Sequence, residues 1–111
     1  MSHLKLIINN EKKIKNIFFN KSELKLILNL YARMVSSGEW KDYGLSISKK
    51  EISFNVYHRT SNVPIYKITK NLTSKNEIYS IKNSNNQIIR NSDNLEKLLN
   101  KIVWKKLKLV N

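Results

Sequence analysis

Hydrophobic residues repeat along this chain with two different periods, and the change of period marks where its elements begin and end. From residue 20 the spacing is helical. Leu24, Ile27, Leu28, Tyr31, Met34 and Val35 fall on one face at about 3.6 residues per turn, and Leu26 and Leu30 widen it. Asn20 can cap this helix while Glu23, three residues on, reaches back to its N–H in an N-x-x-E capping box. Gly38 ends it, because glycine takes the left-handed conformation past a helix end without a Cβ penalty. A face this broad predicts cover from two sides, by a sheet and by something else.

From Tyr43 the period is two. Leu45 and Ile47, then Ile52, Phe54 and Val56, alternate with polar residues across a turn at Ser48 to Lys50, which is a hairpin pattern. Pro64 opens the run PIYKITK, where a missing N–H is tolerated, and NEIYSIKN and QIIRN follow around the turn-forming Asn83 to Asn86. A last helix is predicted in SDNLEKLLNKIVW, with Asp93 and Glu96 as a D-x-x-E cap and Leu95, Leu98, Leu99, Ile102 and Val103 as its buried stripe. Helical phase breaks near Lys105, and KLKLV reads as extended. These elements predict an α+β fold, a five-stranded antiparallel sheet with an N-terminal and a C-terminal helix packed on one face. Residues 1–17 show no clean period and read as a flexible basic arm, leaving 18–111 as a single domain.

Between the first helix and the first strand stands SSGEWKDY, which gathers two acids and two large aromatics into one corner. Trp40 and Tyr43 can plug the junction of helix and sheet while Glu39 and Asp42 bond nearby N–H groups or Lys41. Alternatively, Glu39, Trp40 and Asp42 form a partner-binding corner. A catalytic carboxylate pair would further need a pocket and a partner of shifted pKa.

The stretch SELKLILNLYARMVSSGEWKDYGL, followed by FNVYHR, VPIYKI and the closing KKLKLV, resembles domain-of-unknown-function family 2794, a family of small bacterial proteins. Glu23, Leu24, Ile27, Leu28, Tyr31, Arg33, Met34, Val35 and Gly38 to Tyr43 carry the likeness, continued by His58, Arg59, Pro64 to Ile68 and Lys105 to Val110. His58 departs from the pattern, which has a basic pair there. The resemblance implies the order of elements and brings no activity with it.

Composition narrows the chemistry. Cysteine is absent, which excludes disulfides, thiolate nucleophiles and cysteine-ligated metals. With two glycines there is no glycine-rich phosphate loop, and His3 and His58, the two histidines, stand apart from any serine in a nucleophile-elbow setting. No histidine–carboxylate cluster suggests a metal, no cofactor motif occurs, and His58 beside Arg59 reads as a strand-end surface residue. The expected class is a binding protein and not an enzyme. No signal-peptide pattern opens the chain, and no run of about 18 apolar residues occurs. A cytoplasmic protein without integral membrane association is expected.

Charge supplies the remaining pointer. Twenty-one Lys and Arg oppose eight Asp and Glu, a formal net charge of +13. AT-rich coding explains part of the lysine excess, but acidic residues have AT-tolerant codons too, so it does not explain the imbalance. Such a charge invites a partner carrying phosphates. Strand alternation assigns the faces: with Phe54 and Val56 inward, Ser53, Asn55, Tyr57 and Arg59 point away from the helices. Lys67 and Thr69, then Ser80 and Lys82, share that outer face, and Arg90 joins it if Ile89 is buried. On the last helix Lys97, Lys101 and Lys105 form a stripe among which Trp104 projects. Tyr57, Arg59, Lys67, Lys82, Arg90, Lys97, Lys101 and Trp104 are therefore the expected contacts to RNA or DNA, with little sequence preference. The alternative is a protein-interaction or regulatory adaptor in which Trp40, Trp104 or the arm docks on another chain.

Overall fold

The computed structural model describes residues 18–58, 63–73, 78–102 and 104. Residues 1–17, expected as an arm, Arg59, Val103 and the residues from Lys105, expected to be extended, lie outside the described residues. Helix α1 spans Lys21–Ser36, strands β1 to β5 span Asp42–Ile47, Glu51–Tyr57, Tyr66–Asn71, Ile78–Asn83 and Ile88–Ser92, and helix α2 spans Leu95–Lys101. The sheet is an antiparallel meander in the order β1-β2-β3-β4-β5, with both helices on one of its faces. This is the α+β architecture that the hydrophobic periods predict.

Local chemistry sets the helix ends. The Asn20 side chain accepts from the Glu23 N–H at 2.9 Å and the Asn20 N–H donates to Glu23 Oε1 at 2.6 Å, completing the capping box. At the other end Gly38 takes φ +82°, its N–H donates to Val35 O and the Glu39 N–H donates to Met34 O, a Schellman closure of the last turn. The start of α2 departs from the expected cap. Asn94, and not Asp93, is the N-cap, its side chain accepting from the Lys97 N–H. In the β4–β5 turn Asn86 takes φ 62°, a conformation that asparagine tolerates better than most residues.

The core lies between the helices and the inner row Ile52, Phe54, Val56, Ile68, Tyr79 and Ile81. From α1 it takes Ile27, Leu30 and Met34, and from α2 and beyond Leu95, Leu98, Leu99, Ile102 and Trp104. Helix α1 is rotated from the expected phase: Glu23 and Leu30 are buried, while Leu28 and Val35 are each 40% exposed. The rotation has a polar cause. Glu23 Oε1 accepts from Lys70 Nζ at 2.9 Å, and Tyr79 donates its hydroxyl proton to Glu23 Oε2, so the carboxylate is drawn under the helix. Lys70 lies opposite Ile52 and Tyr79, in the row that faces the helices.

Candidate functional site

Two regions compete for function, the outer sheet face and the corner where α1 ends. The outer face follows from alternation. Gly44, Asn55, Lys67 and Lys82 form one cross-strand row, and Ser46, Ser53, Thr69 and Ser80 form the next. Tyr57 lies on this face too, its ring 3.7 Å from where a Cβ on Gly44 would stand. Ser53 donates to Asn55, whose amide donates to Ser46, and Thr69 donates to the Ser80 carbonyl, so small polar side chains satisfy one another at its centre. Lys67 is directly opposite Lys82. Lys67 Nζ donates to Asn86 Oδ1 at 2.7 Å, and Lys82 Nζ meets Glu51 at 3.2 Å.

The other expected contacts do not join this surface. A bulge between Ile81 and Lys82 shifts the β4–β5 register, placing Arg90 opposite Ile81 and therefore on the helix side, with Ile88 opposite Lys82. The condition that would have aimed Arg90 outward fails as well, since Ile89 is 40% exposed. Lys97 and Lys101 are exposed on α2, so the sheet separates them from Lys67 and Lys82. Trp104 is not an exposed residue among lysines. The backbone leaves helical geometry at Ile102 (φ −95°, ψ 126°), so helical phase no longer applies, and Trp104 is buried in the core. The partner-binding corner also comes apart. Trp40 is 1% exposed, Glu39 is half-buried, and the exposed Asp42 accepts from the Tyr43 N–H.

What the corner builds instead is a cavity of about 460 Å³ at the end of the sheet, lined by Met34, Glu39, Trp40, His58, Ile65, Tyr66, Asn83, Ser84 and Trp104. Its walls come from the end of α1, the end of β2, the start of β3 and the β4–β5 turn. The rings are set edge to face. Trp104 lies 5.3 Å from Trp40 at 80° and 5.3 Å from Tyr66 at 74°. His58 Nδ1 is 2.8 Å from the Glu39 carbonyl oxygen. A carbonyl only accepts, so Nδ1 carries the proton and, in the neutral ring, Nε2 is an acceptor. Burial raises the Tyr66 phenol above its ordinary 10.0. The Trp104 indole N–H is buried with no hydrogen-bond partner among the described residues.

Sequence reasoning named Glu39, Trp40 and Trp104 but not their convergence, and it missed His58, Tyr66, Asn83 and Ser84. Tyr66 was legible as an inward position of the run that Pro64 opens; His58 reads from sequence as a strand-end surface residue, because the carbonyl that holds it lies on another element. Asp42 is not among the cavity residues, so the Glu39–Asp42 carboxylate pair does not form there. Among the described residues no group of His, Asp and Glu is arranged to hold a metal ion, and no helix is long and apolar enough to cross a membrane. The family described as protein of unknown function (DUF2794) matches residues 17–99, and the chain belongs to it. No curated protein and no solved structure matches.

Proposed function

We propose that this family member is a cytoplasmic, non-enzymatic binding module that contacts RNA or DNA through the outer sheet face, with little sequence preference. The observation that carries this reading is the direct cross-strand opposition of Lys67 and Lys82 in a chain of net charge +13. Like charges directly opposite each other on a sheet are destabilising; Glu51 offsets Lys82, while Lys67, held by the neutral Asn86, keeps an uncompensated charge on this face that suits a phosphate. Asn86 and Glu51 hold the two ammonium groups in place on a face that carries no described helix. Tyr57 adds a ring on which a base can stack. Low sequence preference follows from the donors: lysine acts as a point charge without the bidentate fork of arginine, and the serine, threonine and asparagine side chains are occupied with one another.

A salt titration tests the reading. If about six phosphates of a single strand are contacted, log affinity falls with log salt at a slope of about −4, and Lys67→Met with Lys82→Met flattens that slope by about 1 to 2. Absence of binding at low salt overturns it. A protein-interaction role is favoured by a different observation. Leu28 and Val35 are each 40% exposed on one side of α1, flanking Tyr31, whose ring meets that of the 42% exposed Tyr43. A pull-down in which Val35→Lys releases a specific protein, with nucleic acid binding absent, would establish that role in place of the first.

A further inference from the structure

We infer that β1 is a pairing edge for a second copy of this chain, the two sheets joining antiparallel across a two-fold axis at Leu45. The two rims of the sheet differ. At the β5 rim Arg90 places a charge on the helix side, and a bulge interrupts the register with β4. Inward-pointing charges and bulges are devices that keep an edge from recruiting another strand. β1 has neither: its register with β2 runs unbroken from Asp42 to Ile47, and from Tyr43 to Ile47 it carries no charge and no proline.

Alternation settles which backbone groups β1 turns outward. The Ser48 N–H donates to Glu51 O and the Ile65 N–H donates to Val56 O, so the even-numbered residues of β1 bond β2. Tyr43, Leu45 and Ile47 therefore direct their N–H and C=O groups away from β2, where no strand lies among the described residues. The Tyr43 N–H donates to Asp42 Oδ1 at 2.8 Å. The same three residues aim their side chains to the helix side, opposite Val56, Phe54 and Ile52. Tyr43 is 42% and Ile47 37% exposed there. The Tyr31 ring lies 5.1 Å from that of Tyr43, which makes the row continuous with the exposed Leu28 and Val35 on α1.

A second copy fits this rim because the strand complements itself. Outward-turned residues must pair with outward-turned residues, and an axis at Leu45 uses all three: Tyr43 meets the partner's Ile47, Leu45 meets the partner's Leu45, and Ile47 meets the partner's Tyr43. Aromatic and β-branched side chains opposite one another are favourable cross-strand pairs. On the other face Gly44 meets the partner's Ser46, so no like charges are opposed within the strand. Antiparallel pairing also brings the hairpin lysines Lys49 and Lys50 of one copy to the Asp42 end of the other. The segments LKLII and KLKLV at the chain ends alternate too, but both lie outside residues 17–99, the family match that contains β1 and all it needs to pair with itself. This pairing uses the rim and the helix side, so it stands apart from the nucleic-acid reading of the outer face. One strand pair is a small interface, so the dimer is micromolar.

Sedimentation of the full-length protein over a concentration series, at low and high salt, tests the pairing. The mass should rise from 13.1 kDa toward twice that value, and more readily at high salt, because two chains of net charge +13 repel until they are screened. Ile47→Lys should weaken the dimer about tenfold or more by placing a charge against the partner's Tyr43, whereas Ile88→Lys on the β5 rim should leave it intact. A second measurement does not depend on how those variants fold. The chain has no cysteine, so Ser46→Cys gives a unique thiol, and the register sets the two copies of it about 7 to 8 Å apart, on the diagonal. A short bis-maleimide should link them and should not link Ile88→Cys. Hydrogen exchange at the Leu45 and Ile47 amides should slow as concentration rises. A monomer at every concentration and salt, a dimer indifferent to Ile47→Lys, or linkage through Ile88→Cys in place of Ser46→Cys overturns the pairing. Protection of those amides that is the same at every concentration also overturns it, and assigns the rim to a segment of the same chain.

Discussion

Helix α1 is fastened differently at its two ends. At the N-terminal end the buried Glu23 carboxylate receives the Asn20 N–H, the Lys70 ammonium and the Tyr79 hydroxyl, and all three arrive from groups shielded or half-shielded from water. At the C-terminal end Trp104 and Tyr66 border a cavity, and the buried indole N–H has no hydrogen-bond partner among the described residues. Both ends bury polar atoms under the same helix. A carboxylate paired on both oxygens locks helix to sheet, whereas the buried indole N–H has no described partner to tie it to either. This is the contrast between a polar group that is fully paired and one that has no described partner.

The sharpest way to break the contrast is to cut the knot. Glu23→Ala takes from the buried Lys70 the carboxylate it pairs with and removes half of the capping box, and should cost about 3 to 5 kcal/mol in a denaturant titration. Adding Lys70→Met to that variant should return a large part of the loss, because the ammonium that Glu23 served is then no longer buried. Tyr79→Phe deletes one hydrogen bond to a charged acceptor and should cost about 1.5 to 3 kcal/mol by the same measurement. Trp104→Phe makes the opposing case. Its N–H has no described partner to lose, so the cost should come only from the small cavity left by the missing ring atoms, about 1 kcal/mol. A loss as large as that of Tyr79→Phe would mean that the indole is a structural donor and the two ends are alike.

The smallest effect is one of pH. Burial raises the Tyr66 phenol, and burial, with Asp42 and Tyr43 nearby, raises that of Tyr31. A group whose pKa is higher folded than unfolded stabilises the fold fully below its unfolded value. That contribution is lost as pH rises through the folded value. Stability should therefore be flat near neutrality and decline above pH 10, and Tyr66→Phe should blunt the decline in melts between about pH 9 and 11.

Much of this architecture was legible before any coordinates. The switch from period 3.6 to period 2 after Gly38 gave the order of elements, and Asn20 with Glu23 marked the first helix start. The errors have particular causes. The apolar face of α1 is too wide to fix its own rotation, and what fixes it is Glu23, which a capping box accounts for without any burial. Lys70 had the right signal, since it shares parity with Ile68 and Tyr66, but its charge argued the other way; the partner that reconciles the two lies on another element. Arg90 was misassigned because a one-residue bulge inverts faces and leaves no mark in the composition. Trp104 was misplaced because Ile102 quits the helix earlier than the lysine spacing suggests. As for the site, its aromatic members were visible one by one, but a cavity is a property of four elements meeting.

The meander has a bearing on how the chain reaches this state. Every strand hydrogen-bonds its sequence neighbour, so the sheet can zip from one hairpin to the next with small loop-closure losses at each step. The Glu23 knot is different in kind, joining positions 47 and 56 residues apart. Docking of the first helix, sealed by that carboxylate, is the step that must wait for a nearly finished sheet.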